Sequence, residues 1–386
     1  MLLDCFIILL KWRIAVIREF LEIIPESEIQ CLIHLKQHLV ERQPLKGVRI
    51  LLNTHITLAT VALLDGLLAI GATVVLTSAP GLVQHQKIRK KLELVMDYVE
   101  FSEILKYHQA DMFDLALDCG GYLVDLIQPK LGLVELTHVS DSIYKNTRCP
   151  VISIDKSQIK HIETILGTGS GFGSAVKKLL LEKNEEMTQQ SYVIFGFGKV
   201  GRGIAYALTK AGVSKSSIYI VELSEIKIKQ IEHLGFNAFG LERHFKQVQL
   251  ILKTADWAIT ATGIQGAITH YFDSSDFNAV KYLANMGTYD EWGEAFTKRS
   301  ILNAKKPFNF MLNVPTRLIY LDPIFSTMIY TCVDLVESSV KATDSVMGVK
   351  VSIQQKVLND WMQNNPHFDS FEALQLEIEE VSCLLA

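Results

Sequence analysis

The sequence predicts a two-lobed α/β protein built on parallel sheets, and three observations carry that expectation. Short apolar runs alternate with helix-spaced apolar positions on both sides of the chain's midpoint, which is the pattern of parallel crossover units. Residues 191–203, Ser-Tyr-Val-Ile-Phe-Gly-Phe-Gly-Lys-Val-Gly-Arg-Gly, pass from an apolar run straight into spaced glycines. The chain is also long enough for more than one core, with 386 residues of which 49% are hydrophobic.

Tyr192 to Phe195 suit a buried strand, and Val200, Ile204, Ala207, Leu208 and Ala211 keep helical spacing until Gly212. The glycines then have separate tasks. Gly196 permits the sharp turn, Gly198 lets a pyrophosphate approach bare backbone, and Gly201 lets helix and strand pack closely. A helix start presents free N–H groups, so Gly196, Gly198, Lys199, Val200 and Gly201 form the candidate phosphate-binding set. Taken alone the motif is weak, because a purely structural glycine turn reads the same way. Here a second apolar run, Ile218 to Val221, ends in Glu222, at the separation where an acidic side chain takes ribose hydroxyls. The expected ligand is NAD rather than NADP, since a carboxylate repels a 2′-phosphate and no arginine follows at once. The fold expected around it is a Rossmann-type doubly wound domain.

In chain order, Ile29, Leu32, Ile33, Leu35 and Leu39 trace a helix between Pro25 and Pro44. Val48 to Leu52 reads as a strand, Leu58 to Ile70 as a helix ended by Gly71, and Thr73–Leu76, Leu115–Leu117 and Val151–Ile154 as further strands. Gly167 to Gly173 follows helix-spaced Ile162, Ile165 and Leu166 rather than a strand, so a hinge between domains is expected there. Beyond Glu222, Ala255–Thr260 and Val280–Leu283 read as strands. Their tips, Thr262-Gly263 and Asn285-Met286-Gly287, would face a dinucleotide. Helical spacing resumes after Leu321, and Phe371 to Leu385 reads as an amphipathic helix. The expected domains are a substrate-type α/β domain over 1–165, the NAD-binding domain over 166–325, and C-terminal helices over 326–386 returning to the first.

A net charge of -4 and a pI near 6.3 leave no basic footprint for nucleic acid. The 6 cysteines lie far apart with no C-x-x-C pair, which argues against a disulfide framework and a zinc site. No metal is expected, and a reducing cytoplasmic location fits. The apolar run Cys5 to Leu10 is too short to span a bilayer and lacks the flanks of a signal peptide. It is expected in a core-facing helix, with no membrane partner.

Several of these stretches together resemble the adenosylhomocysteinase family. His55-Ile56-Thr57 is similar to its His-x-Thr motif, Asp118-Cys119-Gly120-Gly121 to its Asp-Asp-Gly-Gly turn, and Glu135-Leu136-Thr137 to its Glu-Thr-Thr. Pro150 to Asp155, continuing to Lys160, resembles the segment carrying the family's active-site lysine, and Gly196 to Gly203, Glu222, Thr262-Gly263 and Asn285-Met286-Gly287 resemble its NAD-binding pattern. The resemblance implies a tightly held NAD that oxidises a ribose 3′-hydroxyl, followed by thiol elimination and water addition. It implies His55, Glu135 and Lys160 as catalytic groups, with Asp118 of similar standing. Gly196, Gly198, Lys199, Val200, Gly201, Glu222, Thr262, Gly263 and Asn285 would bind the cofactor. It further implies a nucleoside-like small-molecule substrate and a homo-oligomer, here a homodimer. Without the resemblance, His55 reads as a satisfied strand-end group, Lys160 as a solvated lysine, Glu135 as a helix-face acid and Asp118 as a turn former.

The sequence also departs from the family pattern. Thr164 and Ile165 stand where the family has Asp and Asn after the lysine, Thr288 replaces a histidine, and Cys119 an aspartate. The expectation is an NAD-dependent adenosylhomocysteinase-like enzyme acting on a nucleoside thioether or related hydroxyl-bearing substrate, with impaired hydrolysis. The alternative is a non-catalytic NAD-binding paralogue serving as sensor or partner. A 2-hydroxyacid dehydrogenase would want an Arg, Glu and His set, of which Arg299, Arg317, Glu291 and Glu294 offer only pieces.

Overall fold

The computed structural model describes residues 15–107, 112–137, 141–338 and 346–366. The apolar run Cys5 to Leu10 and the amphipathic stretch Phe371 to Leu385 lie outside these residues. Strands among the described residues are β1 (Arg49–Asn53), β2 (Thr73–Thr77), β3 (Asp97–Tyr98), β4 (Leu115–Asp118), β5 (Gly132–Glu135), β6 (Val151–Ser153), β7 (Tyr192–Phe195), β8 (Ile218–Glu222), β9 (Asn237–Gly240), β10 (Trp257–Thr260), β11 (Tyr282–Asn285) and β12 (Met347–Gly348). They belong to a two-domain α/β chain: one unit runs up to Lys160 and resumes at Leu318, and the other runs from His161 to Arg317.

The first unit carries a parallel sheet in the order β12-β6-β5-β4-β1-β2-β3. Alternate residues of β1 serve its two faces, with Ile50 and Leu52 in one core and Leu51 in the other. The helix Leu58–Ala69 is apolar nearly all round and sits inside the larger core with the helices Gln30–Leu39 and Leu318–Glu337. A Cβ at Gly66 would lie 2.6 Å from Ile329 Cδ1, so glycine there lets two of these helices close on each other. Leu318–Glu337 is long and apolar enough to cross a membrane by length and composition, but it is a core helix here, with Ile324, Met328, Ile329 and Cys332 buried.

The second unit is a doubly wound sheet in the order β11-β10-β7-β8-β9, all pairs parallel. Tyr192 and Ile194 enter one core and Val193 and Phe195 the other, so β7 is covered on both faces. The stretch Gly167 to Gly173, expected as a hinge, is helical. A π turn over Ile162–Gly167 leads directly into the helix Thr168–Glu182. Its glycines serve contact rather than looseness. A Cβ on Gly169 would lie 2.2 Å from Gly203 O, and one on Gly203 would lie 2.1 Å from Ile165 O.

One buried carboxylate ties the first unit across a long sequence separation. The helix Gln30–Leu39 has no side-chain cap of its own, and the backbone N–H groups of Cys31 and Leu32 donate to Asp322 at 2.7 and 2.9 Å. Burial pushes the Asp322 carboxyl up to about 7 although the two N–H bonds pull it down. Its folded-state value is therefore raised, so its contribution is complete below about pH 4 and is lost as pH rises through about 7. Replacing Asp322 with Ala should lower the unfolding free energy near pH 5 by about 1–3 kcal/mol. In urea denaturation the gap from wild type should narrow as pH rises past neutrality, and a gap that widens would contradict this assignment.

Candidate functional site

In the second unit the chain leaves β7 at the point where the strand order reverses, between β7 and β10, which is where doubly wound sheets take ligands. Gly196 has φ +97, and a Cβ there would lie 2.5 Å from Ala261 O, so the turn requires glycine. Gly198 precedes the helix Lys199–Lys210, whose start has no side-chain cap. A Cβ on Gly198 would meet nothing within 4 Å, whereas one on Gly201 would lie 2.1 Å from Gly196 O. The first is thus open space over a helix N-terminus, and the second a packing contact. Lys199 and Val200 form the first turn, their N–H groups at the positive end of the helix. These residues fit a pyrophosphate.

Glu222 ends β8 beside this turn. Its Oε2 accepts the Phe197 N–H at 2.8 Å, and its Oε1 accepts those of Leu223 at 2.9 Å and Ser224 at 3.2 Å. A carboxylate offers about four lone-pair sites, so acceptor capacity remains for a ribose hydroxyl. Gly198, Glu222, Thr262, Ile264 and Tyr271 line a cavity of about 210 Å³.

Thr262 and Gly263 follow β10, and their N–H groups donate to Glu291 at 2.8 and 2.7 Å. Glu291 is fully buried, and burial raises its carboxyl above the ordinary value. A Cβ on Gly287 would lie 1.8 Å from Glu291 Oε1, so glycine at that position makes room for the carboxylate. The Asn285 side chain donates to the carbonyls of Gly287, Tyr289 and Lys305 at 2.8–2.9 Å and accepts the Thr260 hydroxyl at 2.9 Å. It fixes the loop after β11 with its whole amide.

In the first unit the order reverses between β4 and β1, and there Asn53 donates to Asp118 at 2.7 Å while accepting the Ala79 N–H at 2.9 Å. Asp118 also accepts from the backbone of Cys119 at 2.8 Å and Leu123 at 2.7 Å. Burial first, then the neighbouring Glu135, pushes its carboxyl up to about 7. Glu135 pairs with Asp118 across β5 and β4 and ends a strand rather than facing out from a helix. Its oxygens accept the N–H groups of Gly120, Gly121 and Thr137 and the hydroxyls of Thr137 and Tyr144, at 2.8–2.9 Å.

His55 Nδ1 accepts the Val83 N–H at 3.0 Å, which places the ring proton of the neutral tautomer on Nε2. Thr57, two residues on, is the N-cap of the helix Leu58–Ala69 in a capping box with Thr60. Lys160 is buried, at 6% exposure, which removes the reading of a solvated surface lysine. The structure thus brings Asp118 and Glu135 together with Asn53, and sets His55 beyond β1 and Lys160 beyond β6 at the same sheet edge. Sequence reasoning passed over Asn53 and Tyr144, and weighed Glu291 only as a piece of a dehydrogenase set. A polar amide closing the apolar strand Arg49–Asn53 was a readable signal for the first; Glu291 sits in a loop without periodicity.

Gly198 has φ -76, which any residue adopts, and open space around its Cβ position. Gly198→Val should therefore keep the wild-type melting temperature while weakening dinucleotide binding by about tenfold or more, as read by calorimetric titration. Unchanged affinity in the folded variant would remove this loop from the site.

A family model described as S-adenosyl-L-homocysteine hydrolase matches residues 17–80. An adenosylhomocysteinase of Sulfurisphaera tokodaii is 26% identical over 262 residues, covering 62% of this chain and 60% of that protein. An S-inosyl-L-homocysteine hydrolase of Methanopyrus kandleri is 24% identical over 280 residues, covering 66% and 63%. An adenosylhomocysteinase of Pyrococcus abyssi is 26% identical over 284 residues, covering 67% and 63%. The chain thus spans about three fifths of the length of these curated relatives. Among solved structures, a dipicolinate synthase chain of Bacillus halodurans aligns with a TM-score of 0.48 at 12% identity, over 75% of this chain and 98% of that one. A transhydrogenase of Sinorhizobium meliloti aligns at 0.45 and 13%, over 78% and 100%. With relatives of one name recurring at this level of identity, and with the family model falling on the segment that holds His55 and Asn53, the chain is similar to the adenosylhomocysteinases.

Proposed function

We propose that the chain binds NAD and acts on the ribose hydroxyl of an S-nucleosyl-homocysteine or a related thioether, with hydrolysis weak or absent. The observation that carries the cofactor is the open space over Gly198, with Glu222 at the end of the adjoining strand. When bound, NAD supplies reversible oxidation of a substrate hydroxyl. Relatives at similar identity are named for an S-adenosyl and an S-inosyl substrate, so the homocysteine thioether of a nucleoside is what those names share. The base is left open for this chain.

The residues of the first unit support binding more than proton transfer. Glu135 accepts five hydrogen bonds against about four lone-pair sites, so it works as a positioning group that holds Gly120 and Gly121 in place. His55, its ring fixed by the Val83 N–H at Nδ1, is a candidate substrate-facing group. Lys160, buried beyond β6, is left as the candidate base. The saturated Glu135, together with Thr164, Ile165 and Thr288, favours the second reading, an NAD-binding paralogue without turnover. A homodimer is part of the proposal. So is a reducing, cytoplasmic location, which four buried free thiols (Cys31, Cys119, Cys149 and Cys332) support.

The test is purified protein assayed for bound nucleotide and then given S-adenosylhomocysteine or S-inosylhomocysteine. Nucleotide should co-purify or bind, nicotinamide absorbance should change on substrate addition, and free homocysteine should appear far below about 1 per second. Homocysteine release at ordinary enzyme rates would overturn the claim of impaired hydrolysis. Absence of any dinucleotide binding would overturn the whole reading, and binding without any absorbance change would select the non-catalytic paralogue.

A further inference from the structure

Away from both candidate sites, the first unit's helices Gln30–Leu39, Leu318–Glu337 and Val351–Asn364 frame a cavity of about 270 Å³. Helical spacing brings His34 and His38 to it from the first helix, Ser326 and Tyr330 from the second, and Lys356 and Asp360 from the third. Ser326 is fully buried and its hydroxyl has no hydrogen-bond partner. A mid-helix hydroxyl can bond back to the carbonyl four residues earlier, as Thr327 and Thr331 do on this same helix at 2.7 Å. Ser326 makes no such bond and lines the cavity instead. A buried hydroxyl left unpaired costs stability, which a ligand would recover.

The surrounding groups are mostly donors. The Lys356 ammonium lies 4.3 Å from the centroid of the Tyr330 ring, and no carboxylate pairs with it among the described residues. The ring holds the cation at the cavity without cancelling its charge. Burial pushes the Tyr330 hydroxyl up to about 12, so it keeps its proton at neutral pH. The carboxylate in the lining is already engaged: Asp360 Oδ1 meets His34 Nδ1 at 2.5 Å and Asn364 Nδ2 at 3.2 Å. Among the described residues no three His, Cys, Asp or Glu side chains converge as a metal site would need.

We propose that this cavity binds a small oxyanion, the phosphoryl or carboxyl group of a metabolite, through Ser326 and Lys356 with His38 and Gln363 at its rim. The test is calorimetric titration of the full chain with sodium phosphate and with sodium acetate, each against sodium chloride of equal ionic strength. Phosphate or acetate should bind, and Ser326→Ala and Lys356→Gln should each weaken that binding by about tenfold or more. Phosphate binding that is lost in Gly198→Val but kept in Ser326→Ala would belong to the nucleotide loop and would overturn the proposal. Ser326→Ala without ligand should melt at or above the wild-type temperature, because an unsatisfied hydroxyl is removed, so lost binding is not lost folding. Binding of phosphate alone assigns a phosphoryl group, and equal binding of acetate a carboxyl group. Affinity indifferent to both substitutions, or no binding beyond that of chloride, would overturn the proposal.

Discussion

Backbone N–H groups at the ends of strands and helices have no partner within their own element, and in this protein side-chain carboxylates, those of Glu135, Glu291 and Asp322 buried and that of Glu222 half-buried, take them up. Glu222 holds Phe197, Glu291 holds Thr262 and Gly263, Glu135 holds Gly120, Gly121 and Thr137, and Asp322 holds Cys31 and Leu32. Burial of these groups costs desolvation, offset by short bonds to two or more donors. The loops at both strand reversals owe their shape to these clasps, and both candidate sites are made of those loops.

This explains which parts were legible in the sequence. The passage from β7 through Gly196 and Gly198 into the helix Lys199–Lys210 is local: strand, turn and helix start fall within a dozen residues, and each glycine has a separate geometric reason. The Asp322 clasp joins residues 290 and 291 positions apart, and nothing in the periodicity of either helix announces it. Glu291 was visible only as an acid in an irregular loop, and its partners emerge once β10 and β11 are set side by side. The stretch Gly167 to Gly173 was misread for another reason. Glycine serves both loose chain and close contact, and the carbonyls that decide between them, at Gly203 and Pro315, lie far along the sequence. Short strands such as β3 and β12 carry too few residues for any period to show.

The same clasps bear on chemistry. A carboxylate whose lone pairs all point at fixed donors is held in place, so Glu135 serves as a rigid support for the turn after β4. Asp118, with fewer bonds and a carboxyl lifted toward neutrality, remains able to change protonation state. Two acids side by side on neighbouring strands are thus set apart by hydrogen-bond count and environment rather than by residue type.

The helix Leu318–Glu337 has a further consequence for how the chain comes off the ribosome. The core it completes includes Ile50, Leu63 and Leu64, all made long before it, while His161 to Arg317 form a contiguous unit synthesised in between. During synthesis the second unit can therefore close on itself while the first still presents an open apolar face waiting for its last helix. Until Leu318–Glu337 is made, the apolar residues that it covers lack that cover, so burial of the first unit's core waits on the last third of the chain.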